Sequence, residues 1–142
     1  MEGLLTVATR TAEECHEKAD AILSECYAKL AEAGPDASSG RHDYRSLHAI
    51  ARCCQALDQH HVFMDANIRT IGFLCLNKLL IDAGLAPAAL VYPKVLDMCS
   101  TSEIVAAIEH GQLRFRSLRE RDTSEPDADA HPVPVESLME LE

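Results

Sequence analysis

Aromatic residues are scarce in this chain of 142 residues, which has no tryptophan, three tyrosines and three phenylalanines. Alanine, leucine, isoleucine and glutamate are abundant instead, and this composition favours helices over sheets. A chain of this length is expected to form one domain, which can bury a core without the help of disulfides or metal. We therefore predict a small all-α helical bundle.

Basic residues are also few, because 13 lysines and arginines face 23 aspartates and glutamates, which gives a formal net charge of -10. An acidic surface repels the phosphates of nucleic acids, so binding to DNA or RNA is not expected. The basic cluster RFRSLRER, residues 114–121, is too small to reverse this balance. It is interpreted as a solvated helix face or as a contact for a partner protein.

Long apolar runs are missing from the sequence. The opening MEGLLTVATR holds only a short apolar stretch, unlike a signal peptide, and no later run is long enough to cross a bilayer. We expect a soluble protein with no membrane partner in a reducing, cytoplasmic compartment, and delivery into a host or competitor cell stays open. The six cysteines fit as reduced, packed thiols, because their spacing does not resemble a small disulfide-bonded domain.

Two helices are predicted in the first half of the chain. The first begins at Thr11, which has capping-box spacing to Glu14, and extends to about Ala33. The second begins near Asp43, a good N-cap residue. Its predicted inner face repeats at three- and four-residue steps and consists of Tyr44, Leu47, Ala51, Cys54, Leu57 and His61.

A third helix is predicted from the segment IGFLCLNKLLIDAG, residues 71–84. This segment is apolar almost all round, so we expect it to be the central, buried helix of the bundle. Gly84 is a plausible C-cap, and the nearby Pro87 supports a stop there. The following residues, 85–99, are interpreted as an extended piece with a short helix.

A fourth helix is predicted after Ser100, which has capping-box spacing to Glu103. Gly111 is a candidate for its C-cap. Residues 112–120 could form either strand or helix. The tail 122–142 is acidic and contains prolines, so it is predicted to be disordered.

The segment QHHVFMDANIRTIG, residues 59–72, joins the second helix to the third and gathers several polar side chains. The start of a helix exposes free backbone N–H groups and the positive end of the helix dipole, which suits a phosphate. Arg69 could bind that phosphate bidentately, and Asp65 offers the carboxylate oxygen that Mg²⁺ prefers. Asn67 could donate from its amide, and His61 could act as a general base near neutral pH.

Structural roles for the same residues stay open. His61 could be a core histidine on the inner face of the second helix. Asp65 and Asn67 could cap the third helix, and Arg69 could pair with Asp65 or with an acidic residue of the first helix. Phe63 is expected to be buried and to hold the loop in place.

A metal site built from cysteine and histidine is a further interpretation of this region. Cys53 and His60 lie two helical turns apart, as do Cys54 and His61. This spacing matches no common zinc pattern, so it is not favoured.

The stretch HVFMDANIR, residues 61–69, resembles the motif of the Fic (Fido) family, His-x-Phe-x-Asp/Glu-Gly-Asn-Gly-Arg. The resemblance extends to the helix that ends at the histidine and to the leucine-rich helix that follows, and it covers residues 6 to about 92. It implies a Fic-like helical domain over residues 1–121, followed by the tail 122–142. The motif positions that match are His61, Phe63, Asp65, Asn67 and Arg69.

This resemblance implies a transferase. Fic proteins typically move AMP from ATP to a hydroxyl of a target protein, and some relatives transfer UMP, phosphocholine or phosphate. By resemblance, His61 would deprotonate a Ser, Thr or Tyr hydroxyl of the target protein, and Asp65 would hold Mg²⁺. Asn67 and backbone amides around Ile68 would hold the phosphate oxygens, and Arg69 would bind the phosphates of ATP or another donor.

The chain departs from the family pattern at three positions. Ala66 and Ile68 replace the two glycines of the motif, and Gly72 stands where a second arginine is common. The family also has a β-hairpin flap, which would lie before the first helix, where this chain has little sequence. We find no copy of the family's inhibitory helix motif.

These departures leave two alternatives to an active transferase. The first is a catalytically weak or inactive Fic-like protein that acts as a regulatory or protein-binding module. The second is a helical interaction protein whose match to the motif is accidental. A homodimer, or a partner chain that completes the site, is compatible with the missing flap.

Overall fold

The computed structural model describes residues 10–33, 40–63 and 65–124, and this part of the chain is all-helical, with no strand. The all-α prediction is therefore confirmed for the described residues. They form five helices. We label them α1 (Ala12–Ala33), α2 (Gly40–Gln59), α3 (residues 67–82), α4 (Val95–Met98) and α5 (Thr101–Ser124).

Capping boxes begin α1 and α5, as the sequence predicts. Thr11 N–H donates to the Glu14 carboxylate at 2.7 Å, and Glu14 N–H donates back to Thr11 Oγ1 at 3.2 Å. Ser100 N–H donates to the Glu103 carboxylate at 2.8 Å in the same arrangement. Each box satisfies backbone N–H groups that a helix start leaves without partners.

The central helix is α2, and the prediction that α3 holds this place is wrong. Helix α2 packs against α1, α3, α4 and α5, and its inner face is almost fully buried. It also begins at Gly40 rather than near Asp43, and Tyr44 is 49% exposed instead of lying on the inner face. The buried apolar residues of α2 are Leu47, Ala49, Ile50, Ala51, Cys53, Cys54 and Leu57.

Helix α3 contains a π-helical turn, and this turn explains why it is only half buried. Its segments are Asn67–Arg69, the π-helical Thr70–Cys75 and Leu76–Asp82. In a π turn the backbone bonds join residues five apart, so Ile71 and Leu76 both face the core and are fully buried. The apolar residues between them turn outward. Phe73 and Leu74 are 42% and 68% exposed.

The end of α3 confirms the predicted stop at Gly84. Gly84 has a φ of 73°, a left-handed conformation that glycine adopts without strain. Leu85 N–H bonds to Leu80 O at 2.8 Å, and Gly84 N–H bonds to Ile81 O at 3.0 Å. These two bonds form a Schellman motif, which satisfies the last carbonyls of the helix.

The irregular segment 85–94 connects α3 to α4 and lies across both α3 and α5. The Asn77 side chain accepts from Ala88 N–H at 2.7 Å and donates to Ala88 O at 3.1 Å and to Phe73 O at 2.9 Å. The side-chain amide of Asn77 in α3 therefore bonds both backbone groups of Ala88 and fixes segment 85–94 to α3. The short α4 follows, as the sequence suggests for this stretch.

Gly111 does not end α5, because the helix continues to Ser124, and this part of the sequence prediction is wrong. A Cβ at Gly111 would lie 3.1 Å from Ala88 Cβ and 3.3 Å from Ala89 N, so the glycine permits a close crossing. Its carbonyl accepts from Ala89 N–H at 2.9 Å. The predicted tail boundary at residue 122 falls inside α5, and the prediction of disorder for 125–142 lies outside the described residues.

All six cysteines are free thiols, in agreement with the reduced state that the sequence predicts. Cys26, Cys53 and Cys54 lie in the core. Among the helices in the described ranges, none combines the length and the apolar character needed to cross a membrane.

Candidate functional site

The motif loop, which we define as residues 60–63 and 65–66, begins with a tight turn at the end of α2. His61 N–H bonds to Asp58 O at 2.9 Å, and His61 has a φ of 44°. A left-handed conformation is uncommon outside glycine, and it is one of the features that occur at functional sites. The turn takes His61 off the inner face of α2 and leaves it exposed. The interpretation as a core histidine is therefore wrong.

Arg10, just before α1, holds this turn from outside, which the sequence did not reveal. Its guanidinium donates to His60 O at 2.7 Å, across fifty positions of the sequence. Desolvation lowers the pKa of His60, and the positive charges of Lys18 and Arg10 lower it further. The lowered pKa favours the neutral form of His60, the residue before His61.

Val62, rather than Phe63, holds the motif loop to the core. Val62 is 9% exposed and belongs to the main apolar cluster, whereas Phe63 is 38% exposed. The expected burial of Phe63 is therefore wrong. Because the backbone turns at His61, the side chain of Val62 packs into the core, where the sequence had suggested Phe63.

Asn67 closes the loop through both backbone groups of Phe63. Its Oδ1 accepts from Phe63 N–H at 2.9 Å, and its Nδ2 donates to Phe63 O at 2.7 Å. Asp65 Oδ1 accepts from Ala66 N–H at 2.6 Å. Ala66 occupies the N-cap position of α3, and no described side chain caps the helix there. The hypothesis that Asp65 or Asn67 caps α3 is therefore wrong.

Ala66 adopts the backbone conformation of a glycine. Its φ and ψ are 56° and 26°, in the left-handed region, where alanine costs more than glycine. This is the motif position at which the Fic pattern has its first glycine. The loop therefore has a glycine-like bend at an alanine.

The first turn of α3 presents backbone donors beside a positive side chain. The first hydrogen bond within the helix joins Thr70 N–H to Ala66 O at 2.8 Å. The backbone N–H groups of Asn67, Ile68 and Arg69 come before this bond and have no acceptor within the helix. Arg69 is exposed, and within the described part of the chain its guanidinium has no hydrogen-bond or ion-pair partner. The hypothesis of a structural ion pair for Arg69 therefore has no support. Ile68, the residue before it, is half-buried.

Asp65 suits a Mg²⁺ ion that is shared with a substrate but not a site made by protein alone. Its carboxylate is exposed and uses one oxygen for Ala66 N–H. Over the described ranges, no three potential ligands among His, Cys, Asp and Glu converge on one point. Mg²⁺ is commonly held by one or two carboxylates together with substrate phosphates and water, and a lone carboxylate near a helix start is compatible with that pattern.

The cysteines near the loop do not fit a zinc site. Burial raises the pKa of the Cys54 thiol, and a hydrogen bond to Cys26, with burial, raises that of Cys53. Zinc binds the thiolate form, which these environments disfavour. Both side chains also lie in the core, whereas His61 is exposed.

Asp58 lies beneath the loop and was missed by the sequence analysis. It is 2% exposed, and its Oδ1 has no hydrogen-bond partner among the described residues. Burial is the first cause that raises its pKa, and the charge of Asp97 adds to it, whereas His61 acts in the opposite direction. Its spacing of four residues from Cys54 and seven from Ala51 places it on the inner face of α2, a signal that the sequence does contain.

Gly72 leaves no room for the second arginine of the family pattern. A Cβ at this position would lie 2.8 Å from Pro93 Cβ, closer than such atoms approach. Gly72 is buried where the connection 85–94 crosses α3. The packing of Pro93 therefore accounts for glycine at this position.

No family model matches the chain, and neither the curated proteins nor the solved structures contain a significant match to it. A functional assignment therefore depends on the residues of the motif loop and on their geometry.

Proposed function

We propose that this protein is a Fic-like transferase. It moves AMP, UMP or a related phosphate-containing group from a donor to a hydroxyl of a target protein. The proposal is supported by one observation above all. The motif loop is bonded so that an exposed histidine at the end of α2 precedes a helix start with backbone N–H groups and with Arg69, which has no partner among the described residues.

The electrostatics of the first turn of α3 support phosphate binding. A helix start attracts anions through its free N–H groups and its dipole, and Arg69 adds a full positive charge in the same turn. The protein as a whole carries a formal charge of -10, so a local positive site is notable in its context. Asn67 bonds the backbone of Phe63, and the second N–H of its Nδ2 can donate to a phosphate oxygen.

The chemistry follows from these positions. The oxygen of the target hydroxyl attacks the phosphorus of the donor, and His61 takes the hydroxyl proton on a ring nitrogen. With ATP as the donor, the bond from the α-phosphorus to the bridging oxygen breaks, and pyrophosphate leaves with the electron pair. Arg69 and the first-turn amides stabilise the charge that develops on the phosphate oxygens. Mg²⁺, when held by Asp65 and the donor, would neutralise part of the phosphate charge.

A specific observation favours the second candidate, an inactive Fic-like binding module. Gly72 cannot be an arginine while Pro93 packs against it, so the site lacks one positive group that the family pattern supplies. Ile68 also places a branched side chain where the pattern has glycine. This candidate keeps donor binding and lacks group transfer.

Group transfer can be tested with the purified full chain, Mg²⁺ and a cell lysate. ATP and UTP labelled at the α-phosphate report nucleotidyl transfer, and intact-mass measurement reports phosphocholine transfer from CDP-choline. We expect one donor to modify a protein of the lysate, with loss of the product in His61→Ala. Donor binding by calorimetry without transfer from any donor would favour the binding module, and no binding would contradict both candidates.

A further inference from the structure

Asp58 is a buried carboxylate with an oxygen that nothing in the described chain satisfies. It lies in the last turn of α2, is 2% exposed, and its Oδ1 has no hydrogen-bond partner there. Burying an acidic group without a partner is costly, and such groups in native proteins call for an explanation.

Two neighbouring residues, Asp97 and His61, have opposite effects on the pKa of Asp58. Asp97 of α4, which packs against α2, repels a negative charge at Asp58. His61 favours it, and the ring of His61 is exposed and follows Asp58 by three residues. Burial and Asp97 together outweigh His61, so the pKa of Asp58 is raised.

The backbone already joins Asp58 to His61. His61 N–H bonds to Asp58 O at 2.9 Å, and the left-handed turn at His61 folds the chain back at the end of α2. Arg10 holds the neighbouring carbonyl of His60 at 2.7 Å. On the other side, Gln55 Nε2 donates to Cys99 O at 2.9 Å and ties α2 to the end of α4. The backbone at Asp58 and His61 is thus held, and His61 itself is exposed.

We propose that Asp58 is the positioning residue for His61. A side-chain rotation of His61 lets one ring N–H donate to Asp58 Oδ1, which leaves the other ring nitrogen as the proton acceptor. This role depends on the proposed transferase function, in which His61 takes the proton of the target hydroxyl. The same arrangement, in which a third group orients the base and stabilises its charged form, recurs in enzymes that use a histidine base.

The tautomer of His61 tests the pairing without any need for activity. The full chain is labelled with ¹⁵N-histidine, and the His61 signals are assigned by their loss in His61→Ala. The spectra are recorded at a pH at which the rings are neutral, so the ¹⁵N shifts report which ring nitrogen carries the proton. We expect one dominant tautomer in the parent protein and a mixture in Asp58→Asn and Asp58→Leu. His110, exposed on α5, serves as the internal reference for a free ring.

Asp97→Asn is the matched control, because it removes the other carboxylate near this point and leaves Asp58 in place. The dominant tautomer should persist in this variant. A mixture for His61 in the parent protein, or the same tautomer in the parent and in Asp58→Asn, would overturn the proposal.

Stability separates a positioning role from a structural one. Burial of the Asp58 carboxylate costs free energy that a bond to an exposed histidine ring offsets only in part. Asp58→Asn and Asp58→Leu should therefore unfold at the same or a higher urea concentration than the parent. The transfer rate constant kcat should fall at least tenfold, with little change in the KM for the donor. Lower stability together with an unchanged His61 tautomer would show that Asp58 is only structural.

The same experiments distinguish this proposal from the proposed function. A change of tautomer in Asp58→Asn, in a protein that transfers no group, would support the Asp58–His61 pair and contradict the transferase. Group transfer that depends on His61, with kcat and tautomer unchanged in Asp58→Asn, would support the transferase and overturn the positioning role.

Discussion

Asn67 bonds both backbone groups of Phe63, at 2.9 Å and 2.7 Å, and so closes the motif loop across four residues. Asn67→Ala removes both bonds and should lower the free energy of unfolding by about 1–2 kcal/mol. The amide of Phe63 should then exchange with solvent faster, which hydrogen exchange measured by NMR would detect.

Asn67→Asp is the matched control for this loop. The aspartate keeps an oxygen that can accept from Phe63 N–H and loses only the donor. The Phe63 amide should therefore stay protected in Asn67→Asp and lose protection in Asn67→Ala. Equal protection in the parent and in both variants would show that the side chain does not hold the loop.

Arg69 should contribute to donor binding and little to stability, because it is exposed and unpaired within the described residues. Loss of a charge-assisted bond to a phosphate should weaken binding roughly 10- to 100-fold in Arg69→Ala. Calorimetry with ATP and Mg²⁺ measures this change. Arg116→Ala, on the exposed face of α5, is the control and should bind like the parent. Equal affinity in the two variants would place the phosphates elsewhere.

Gly72 should tolerate no side chain while Pro93 packs against it. The Cβ of Gly72→Ala would meet Pro93 Cβ at 2.8 Å, so the variant should lose about 1–3 kcal/mol in urea unfolding. Pro93→Gly removes the atom in the way. The two changes together should then cost less than the sum of the single changes, whereas additive costs would contradict a direct clash.

The local features of this fold are those that the sequence predicts well. Thr11 with Glu14, and Ser100 with Glu103, form capping boxes within four residues of chain, so their spacing alone specifies the helix starts. Gly84 likewise ends α3 through bonds to carbonyls within its own last turn. All of these interactions depend on neighbours in the sequence.

The errors come from contacts between distant segments. Gly111 has the pattern of a helix end, but it is glycine because the backbone at Ala88 and Ala89 crosses α5 there. The exposure of Leu74 follows from a π turn that a regular helical period does not anticipate. Gly72 likewise depends on Pro93, twenty-one positions away, which no local pattern indicates.

The hydrogen bonds of the candidate site could not be predicted from the sequence, and the roles of its residues stay a prediction. The motif identifies His61, Asp65, Asn67 and Arg69 from the sequence. That Asn67 bonds Phe63 rather than capping α3 depends on the left-handed conformation of Ala66, a residue type that usually avoids it. The bond from Arg10 to the loop spans the whole of α1 and α2 and has no signature in the sequence.

Tyr27 and Asp82 link α1 to the end of α3, and this link should make stability depend on alkaline pH. Tyr27 O–H donates to Asp82 at 2.6 Å, and this bond is the first cause that raises the pKa of Tyr27 to about 12. In the unfolded chain, the pKa of a tyrosine is about 10. The raised pKa therefore stabilises the fold fully below about pH 10, and this stabilisation is lost as the pH rises toward 12.

Tyr27→Phe tests the link, because it keeps the ring and removes the hydroxyl. The parent should be more stable than the variant near about pH 8, and the difference should shrink near about pH 11.5. Urea unfolding of the parent and of Tyr27→Phe at each pH gives the two differences in the free energy of unfolding. A difference that does not change with pH would show that the hydroxyl makes no such bond in solution.

Two adjacent histidines allow a direct test of whether His61 is the base of a group-transfer site. His61→Ala and His60→Ala change neighbouring residues of one turn, and only His61 belongs to the motif. With the donor that labels the lysate, the account predicts that His61→Ala loses transfer at least a hundredfold while His60→Ala keeps it. Equal transfer by the two variants would contradict a catalytic role for His61.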